Sequence, residues 1–237
     1  MYKTIISHFY NEEYLLPWWL EHHKKYFNHG IMINYASTDK SVSIIRQICP
    51  DWTVINSRNQ FFDAKLIDDE VSDIEGTVTG WKTCLNTTEF LVGDYSLMNN
   101  TLEQEITVPC FIMVDVEPEL SPTYNKPLTE QKYYCINYHG RDPLARRPRL
   151  IHNKKRVEYP LGRHYSEFNT DKLKVLWYGW SPFNKKAIDR KLQIQNKIPE
   201  SDKARGFGSQ HVTDEIGLHN TFRQKYLPFA TNLKSEI

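Results

Sequence analysis

The sequence contains no apolar run that approaches the roughly 18–20 residues needed to span a bilayer. Its first residues also lack the long apolar core and the small-residue cleavage site of a secretory signal peptide. Cysteine is scarce, and the four cysteines, Cys49, Cys84, Cys110 and Cys135, form no C-x-x-C pair. Such spacing argues against a zinc site or a disulfide scaffold. We therefore expect a soluble cytoplasmic protein whose four thiols are reduced and mostly buried.

Several common nucleotide and hydrolase motifs are missing as well. No G-x-G-x-x-G follows the first predicted strand, and no G-x-x-x-x-G-K-[ST] occurs in the chain. A dinucleotide oxidoreductase and a P-loop NTPase are therefore poorly supported. The G-x-S-x-G turn of the α/β-hydrolases is also absent.

Aromatic residues, in contrast, are abundant. The 237 residues include 11 Phe, 14 Tyr and 6 Trp, which supply enough surface to bury a core and argue against disorder. A chain of this length fits one large domain better than two small ones.

Charge is distributed unevenly along the chain. Residues 1–125 hold 8 basic and 18 acidic side chains, whereas residues 126–163 hold 10 basic and 3 acidic ones. The basic stretch is suited to nucleic acid or to a smaller anion such as a nucleoside diphosphate. No helix-turn-helix, zinc-finger or RNP pattern accompanies it, so we expect no nucleic-acid partner. A solvated loop is the remaining alternative.

The first third of the chain alternates between strand and helix patterns. Short apolar strands are predicted at residues 3–9, 31–35 and 53–55, with helices at 11–27 and 42–48 between them. This order predicts a parallel sheet with right-handed crossovers. A longer helix is predicted over residues 64–86. Further elements are predicted as a fourth strand at 89–92, β-like segments near 110–116, 132–138, 148–159 and 173–178, and a helix near 183–197.

Two segments carry a resemblance to a known family. Residues 9–23 read F-Y-N-E-E-Y-L-L-P-W-W-L-E-H-H, and residues 34–41 read N-Y-A-S-T-D-K-S. They resemble the N-E-x-x-x-L-x-E-W-L-x-H-H and D-x-S-x-D-x-S segments of small GT-A glycosyltransferases of the family-2-like kind. Among these, the chain is similar to capsid-glycan glycosyltransferases of large algal DNA viruses.

The resemblance implies an α/β fold with a mixed, mostly parallel central sheet flanked by helices. It implies a single GT-A domain over residues 1–237, with a nucleotide-binding half at 1–96 and an acceptor-side half at 97–237.

A metal site is the second implication of the resemblance. The family carries a D-x-D motif in a frame close to F-L-D-x-D-E-F, and residues 90–96, F-L-V-G-D-Y-S, are similar to it. Val92 replaces the first Asp, so Asp94 would ligate Mn²⁺ or Mg²⁺, which prefer oxygen ligands. The segment L-G-R-H at 161–164 resembles a later G-x-H element, in which His164 would reach the metal or the phosphates. A turn-forming Asp94 and an ordinary loop histidine are the alternatives.

Donor-binding side chains are implied at the strand ends, in the covering helix and in the G-x-H segment. These residues are Tyr10, Asn11, Glu12, Asp39, Lys65, Lys82 and Arg163. Tyr10 would stack on a base, Asp39 would accept a hydrogen bond from uracil or ribose, and the cations would meet phosphate. Helix capping, an Asx-turn and plain surface positions are alternative roles for these side chains.

The catalytic base has several candidates. An inverting transfer needs a carboxylate or a histidine to deprotonate the acceptor hydroxyl. Asp115 and Glu117 follow a predicted strand, and His211 lies in a glycine-containing loop. A retaining enzyme can lack such a base, so the stereochemistry stays open.

The expected function is metal-assisted transfer of a hexose from a nucleotide-diphosphate sugar, with a UDP-sugar favoured, to a hydroxyl of a glycan or glycoprotein. One alternative is a nucleotidyltransferase, although residues 8–11 do not form its basic, glycine-rich loop. The other is a non-catalytic sugar- or protein-binding relative, which Val92 would explain.

Overall fold

A computed structural model describes residues 1–99, 104–136, 146–206, 208 and 212–233. Its ten strands form one sheet: β1 (Lys3–Phe9), β2 (His29–Asn34), β3 (Thr53–Asn56), β4 (Trp81–Cys84), β5 (Glu89–Gly93), β6 (Glu105–Val114), β7 (Tyr134–Ile136), β8 (Arg146–His152), β9 (Leu173–Trp180) and β10 (Thr231–Asn232). The α-helices are α1 (Leu16–His23), α2 (Ser41–Ile48), α3 (Ala64–Glu75), α4 (Leu128–Gln131), α5 (Lys185–Gln193), α6 (Glu200–Ala204) and α7 (Glu215–Thr221).

The first half of the chain forms a parallel layer in the order β3-β2-β1-β4. Alternate side chains of β1 point to opposite faces of the sheet. Ile5 packs in a cluster with residues of α1 and α2, whereas Ile6 packs in a second cluster with Ile67 and Val71 of α3. Helices therefore cover both faces of the sheet, as the sequence predicts.

The helix predicted over residues 64–86 is wrong beyond Glu75. Gly76 caps α3, and Gly80 has φ +83°, where an added Cβ would collide with the Tyr2 carbonyl oxygen. The next four residues form β4 and pair with β1 on one side and β8 on the other. All four side chains of β4 are buried. The strand predicted at 89–92 is consequently the fifth strand, β5, and not the fourth.

The second half of the chain extends the same sheet. β8 inserts antiparallel between β4 and β6, and β9 pairs parallel with β6 and antiparallel with β5. Taken together, the pairings make β5, β7 and β8 run against the other seven strands. The predicted mixed, mostly parallel α/β architecture is confirmed.

The basic stretch pairs with the acidic first half of the chain. Its ion pairs in the described residues are Lys132–Asp115, Arg149–Glu89, Lys154–Glu105, Arg156–Asp73 and Arg163–Asp68. Much of the charge imbalance along the sequence is therefore resolved by contacts across the fold. A continuous basic surface does not follow from the composition of residues 126–163.

All four cysteines are buried free thiols, as the sequence predicts. In the part of the chain that the structure describes, no helix is both long and apolar enough to cross a membrane.

Candidate functional site

A cavity of about 280 Å³ opens at the carboxyl ends of β1 and β4. In open α/β sheets, ligands bind at this edge. The wall also includes α3, α5 and the 3₁₀ turn at Leu161–Arg163. We call it the cationic cavity; its charged lining residues in the described chain are Glu12, Asp68, Arg163, Arg190, Lys191 and Asp202.

Arg190 reaches this cavity from α5, which Asn184 caps by accepting a hydrogen bond from the Ala187 N–H. Its Nη1 lies 2.7 Å from Glu12 Oε1, and both side chains are buried. Burial raises the pKa of Glu12, and the charge of Arg190 opposes this rise. Within the described structure, Arg190 Nε is buried without a hydrogen-bond partner. The guanidinium therefore has donor capacity left over on the cavity wall.

Arg163 enters from the 3₁₀ turn, where Gly162 and Arg163 have φ of 74° and 57°. Its Nη1 lies 2.6 Å from Asp68 Oδ1, and its Nη2 donates to Asn86 Oδ1 at 3.2 Å. Asp68 Oδ2 accepts a second bond from the Gly162 N–H at 2.8 Å. Burial raises the pKa of Asp68, while Arg163 lowers it. The predicted donor residue Arg163 thus does line the cavity.

Two histidines complete the wall. His164 Nδ1 lies 2.6 Å from Arg149 Nη1, so this ring nitrogen is engaged by the protein. Burial, followed by the charge of Arg163, lowers the pKa of His8 to about 3. His8 is therefore neutral near pH 7, and its buried Nδ1 has no hydrogen-bond partner among the described residues.

A second cavity of about 560 Å³ lies beside the first, at the ends of β2 and β3. We call it the amide-rich cavity, because its lining includes Asn34, Asn56, Asn59, Gln60 and Asn196. Tyr10 lines both cavities, and Lys197 Nζ lies 4.5 Å from the centroid of its ring. The predicted position of Tyr10 at a ligand site is therefore compatible with the structure.

Buried Glu70 holds one wall of the amide-rich cavity. Its carboxylate accepts hydrogen bonds from Tyr35 Oη at 3.0 Å, Ser57 Oγ at 2.7 Å and the Arg58 N–H at 2.8 Å. These bonds tie the loop after β3 to α3. The polar groups of this wall are therefore set before any ligand arrives.

The carboxyl end of β4 carries no carboxylate in the positions facing the cationic cavity. Residues 85–90 read L-N-T-T-E-F. Asn86 and Thr88 both line the cavity. Asn86 Oδ1 accepts from Arg163, and Thr88 Oγ1 accepts from Trp177 Nε1 at 3.1 Å.

The predicted metal ligand Asp94 lies at the opposite edge of the sheet. β5 runs antiparallel to β1, so its last residue lies at the edge of the sheet where β1 and β9 begin. There the Asp94 N–H donates a hydrogen bond to Lys172 O, just before β9. The next residue, Tyr95, accepts a hydrogen bond from Lys3 Nζ at the start of β1. Seven residues of β1, about 20 Å, separate this edge from the cavity. The structure therefore does not bring the predicted metal ligand Asp94 to the cationic cavity.

Two predicted phosphate-binding lysines also lie outside both cavities. Lys65 is exposed on α3 and pairs with Asp69. Lys82 is buried in β4, and its Nζ donates to the carbonyl oxygens of Val78 at 3.2 Å and Lys154 at 2.6 Å. The structure does not bring these two lysines to either cavity, because Lys65 faces solvent and Lys82 ties backbone segments together.

Asn11 and Asp39 build the scaffold beside the site. Asn11 has φ 51°, and its Oδ1 accepts from the Thr38 N–H at 2.7 Å. Asp39 accepts from the backbone N–H groups of Glu13 at 3.0 Å and Ser41 at 2.9 Å. Both side chains hold the loops after β1 and β2 together and line neither cavity, so the ligand contacts predicted for them stay predictions.

The predicted base Asp115 is buried in a closed network. Its Oδ1 accepts from Lys132 Nζ at 2.7 Å and from the Glu117 N–H at 3.1 Å, while its Oδ2 accepts from the Phe183 N–H at 2.8 Å. It does not line either cavity, so the structure does not bring this predicted base to the candidate site. The other candidate, His211, lies outside the described residues.

The donor set of the cationic cavity does not fit a divalent cation. Glu12 and Asp68 already pair with arginines, and Asp202 pairs with Arg205 and accepts from the Ala64 N–H. In the described ranges, no group of three His, Cys, Asp or Glu side chains is arranged to hold a metal. Mn²⁺ and Mg²⁺ prefer several oxygen ligands with carboxylates among them.

Sequence reasoning missed Arg190 and Lys191. In α5, Arg190 and Lys191 follow Ala187 by three and four residues, and all three side chains are buried on the inward face of the helix. The signal in the sequence that could have identified these two residues was the presence of charged side chains at core positions of an amphipathic helix. Lys191 Nζ also lies 4.0 Å from the centroid of the Trp180 ring.

Comparisons with known proteins give remote structural neighbours only. No protein-family model matches the chain, and no curated protein matches it. TarS of S. aureus (residues 1–349) is 13% identical with TM-score 0.39, over 65% of this chain and 47% of TarS. Another TarS structure contains UDP-GlcNAc.

Glucosyl-3-phosphoglycerate synthase of Mycobacterium tuberculosis is 12% identical with TM-score 0.34, over 47% of this chain and 44% of the synthase. Its structures contain Mn²⁺ or Mg²⁺ together with UDP. Both neighbours are GT-A glycosyltransferases. The chain spans less than half the length of either one.

Proposed function

We propose that this protein is a glycosyltransferase that moves a hexose from a nucleotide-diphosphate sugar to a hydroxyl group. The observation that carries the proposal is the pair of cavities meeting at Tyr10, one rich in amides and one lined by cations. A nucleotide-sugar likewise has two chemically different ends, because one end is a nucleoside and the other is a negatively charged glycosyl diphosphate. The cavities measure about 560 and 280 Å³, near the range of about 300–1,000 Å³ of small-molecule sites.

The nucleoside is proposed to occupy the amide-rich cavity. Carboxamide groups both donate and accept hydrogen bonds, which matches the carbonyl and N–H edge of uracil. Tyr10 supplies an aromatic face at the junction, on which a base can stack. A UDP-sugar is the favoured donor on this reasoning.

The diphosphate and the hexose are proposed to occupy the cationic cavity. Negative charge develops on the leaving diphosphate as the glycosidic bond breaks, and cations already in place stabilise it. Arg163 and Arg190 are buried side chains held by ion pairs, so they need little rearrangement. Guanidinium groups that are already in position would therefore bind the donor and would also stabilise the charge that develops during transfer.

The acceptor is proposed to be a glycan or a glycoprotein, of the kind that the capsid-glycan enzymes resembled by residues 9–23 would use. A cytoplasmic location is proposed as well, because the four thiols are free and buried.

A non-catalytic relative that binds nucleotide-sugars is the second candidate. It is favoured by the neutral residues Asn86 and Thr88 after β4, and by the pairing of Glu12 and Asp68 with arginines. Such a protein would bind the donor in the same cavities without releasing the nucleotide.

A thermal-shift panel tests the proposal, with UDP-, GDP-, dTDP- and CMP-sugars in the presence and absence of Mn²⁺. A ligand at 100 times its Kd adds about 2.7 kcal/mol to the free energy of unfolding, which raises Tm by several degrees. Stabilisation by one nucleotide class is expected, followed by release of that nucleotide when sugar acceptors are added. Stabilisation without release would favour the non-catalytic relative, and no stabilisation by any donor would contradict both functions.

A further inference from the structure

The cationic cavity places three basic side chains where an anion would enter. Arg163 comes from the turn after β8, and Arg190 and Lys191 come from α5. All three are buried, with at most 9% of their surface exposed. Burial of three cations around one cavity is costly unless opposite charge compensates it.

Carboxylates of the cavity wall hold both arginines. Glu12 pairs with Arg190, and Asp68 pairs with Arg163. Asp202 is engaged by Arg205, which is more than half exposed and does not line the cavity. Lys191 is a third basic side chain of the wall, and its Nζ lies 4.0 Å from the centroid of the Trp180 ring.

The guanidinium of Arg190 also has an unused donor. A guanidinium carries five N–H donors in a planar fork. Arg190 Nε is buried without a partner among the described residues, and such a group costs free energy until something accepts from it. Its position on the cavity wall points to an anionic ligand with several acceptor oxygens.

We propose that Arg163, Arg190 and Lys191 bind the diphosphate of the donor directly, and that they neutralise it without a divalent cation held by side-chain carboxylates. This inference rests on the proposed function, because it concerns the same site. The neutral Asn86 and Thr88 at the end of β4 support it, since their oxygens accept from Arg163 and Trp177. Arginine binds two oxygens of a phosphate at once in bidentate geometry. The end of β4, in contrast, has no carboxylate facing the cavity that could bind a metal.

Isothermal titration of the full chain tests the inference, with UDP as the probe and uridine as the reference ligand. Binding is measured once with EDTA and once with Mn²⁺ in excess. The inference expects the Kd for UDP to agree within about tenfold between the two conditions. It also expects UDP to bind more tightly than uridine when EDTA is present.

Charge-matched variants identify the side chain responsible. The double variant Glu12→Gln with Arg190→Met removes the ion pair without leaving a buried carboxylate unpaired. It is expected to lose at least tenfold in affinity for UDP, about 1.4 kcal/mol, while affinity for uridine changes little. The Arg190→Lys variant keeps the charge and is expected to lose affinity because it lacks the fork. Lys185→Met, an exposed position on the same helix, is the matched control and should bind UDP as the wild type does.

The outcomes separate the inference from the proposed function. UDP binding that appears only with Mn²⁺ would overturn the inference and leave the function standing. Full UDP affinity in a folded Arg190→Lys protein and in the folded double variant would also overturn it. No binding of UDP or of any nucleotide-sugar in either condition would overturn the proposed function, and the inference with it.

Discussion

Arg149 of β8 and Glu89 of β5 form a buried ion pair. Arg149 donates to Glu89 Oε1 from Nη2 at 2.6 Å and from Nε at 3.1 Å, and both side chains are at most 2% exposed. Glu89 Oε2 accepts from the Asn86 N–H at 2.9 Å, and Arg149 Nη1 contacts His164. One pair of charges therefore positions both the end of β4 and the segment at residues 161–164, which line the cationic cavity.

Arg149→Met is expected to lower the free energy of unfolding by about 3–5 kcal/mol, because Glu89 is left buried without its partner. The double variant Arg149→Met with Glu89→Gln should lose clearly less, since no uncompensated charge remains. Urea denaturation of the three proteins measures the difference. Equal loss in the single and double variants would show that the missing packing of Arg149, not the stranded charge, sets the cost.

Asp94→Ala is expected to leave donor binding unchanged. Asp94 is exposed at the edge of the sheet away from the cavity, and hydrogen bonds from Ser96 lower its pKa. Titration with UDP, with and without Mn²⁺, should give wild-type affinities for this variant. A loss of Mn²⁺-dependent binding would return Asp94 to the site and contradict the strand direction of β5.

His8 makes stability depend on pH. Its pKa is 6.5 in the unfolded chain and is lowered to about 3 in the folded one, chiefly by burial. Below pH 6.5 the unfolded state binds a proton that the folded state does not, so stability is complete above pH 6.5 and falls towards pH 3. The loss is about 1.4 kcal/mol for each pH unit.

Burial also lowers the pKa of His22 and His23, which adds to the same slope. The His8→Asn variant isolates the contribution of His8. The unfolding free energy of the wild type minus that of the variant should decrease as the pH falls from 7 to 5. A difference that stays constant over this range would show that His8 is not neutralised by the fold.

Tyr10→Ala is expected to weaken UDP binding by about 1–3 kcal/mol, the range measured when an aromatic partner of a base is removed. Tyr10→Phe keeps the ring and should bind UDP nearly as the wild type does. Inorganic diphosphate is the control ligand, because it has no base and its affinity should be the same in all three proteins. An unchanged affinity of Tyr10→Ala for UDP would exclude stacking on this ring.

Local sequence patterns were sufficient for the first three strands and for the helices between them. β4 was missed because a strand buried on both faces shows no alternation of polar and apolar residues. Trp81, Lys82, Thr83 and Cys84 are all buried, and Lys82 is an unexpected residue at such a position. Because residues 81–86 were assigned to the end of a helix, Asn86 and Thr88 were not predicted as residues of the site, although both line the cavity.

The sequence by itself determined the α/β alternation, the four buried thiols and a polar loop after β1. These features depend on periodicity and composition over short windows of the chain. Only the tertiary structure decided which side chains share the site, because strand direction depends on pairings between distant segments. Glu12 and Arg190 meet across 178 positions of sequence, and Asp94 is carried to the far edge by the reversal of β5. Burial then decides the chemistry, since it makes the ion pairs of the cavity strong and keeps His8 neutral.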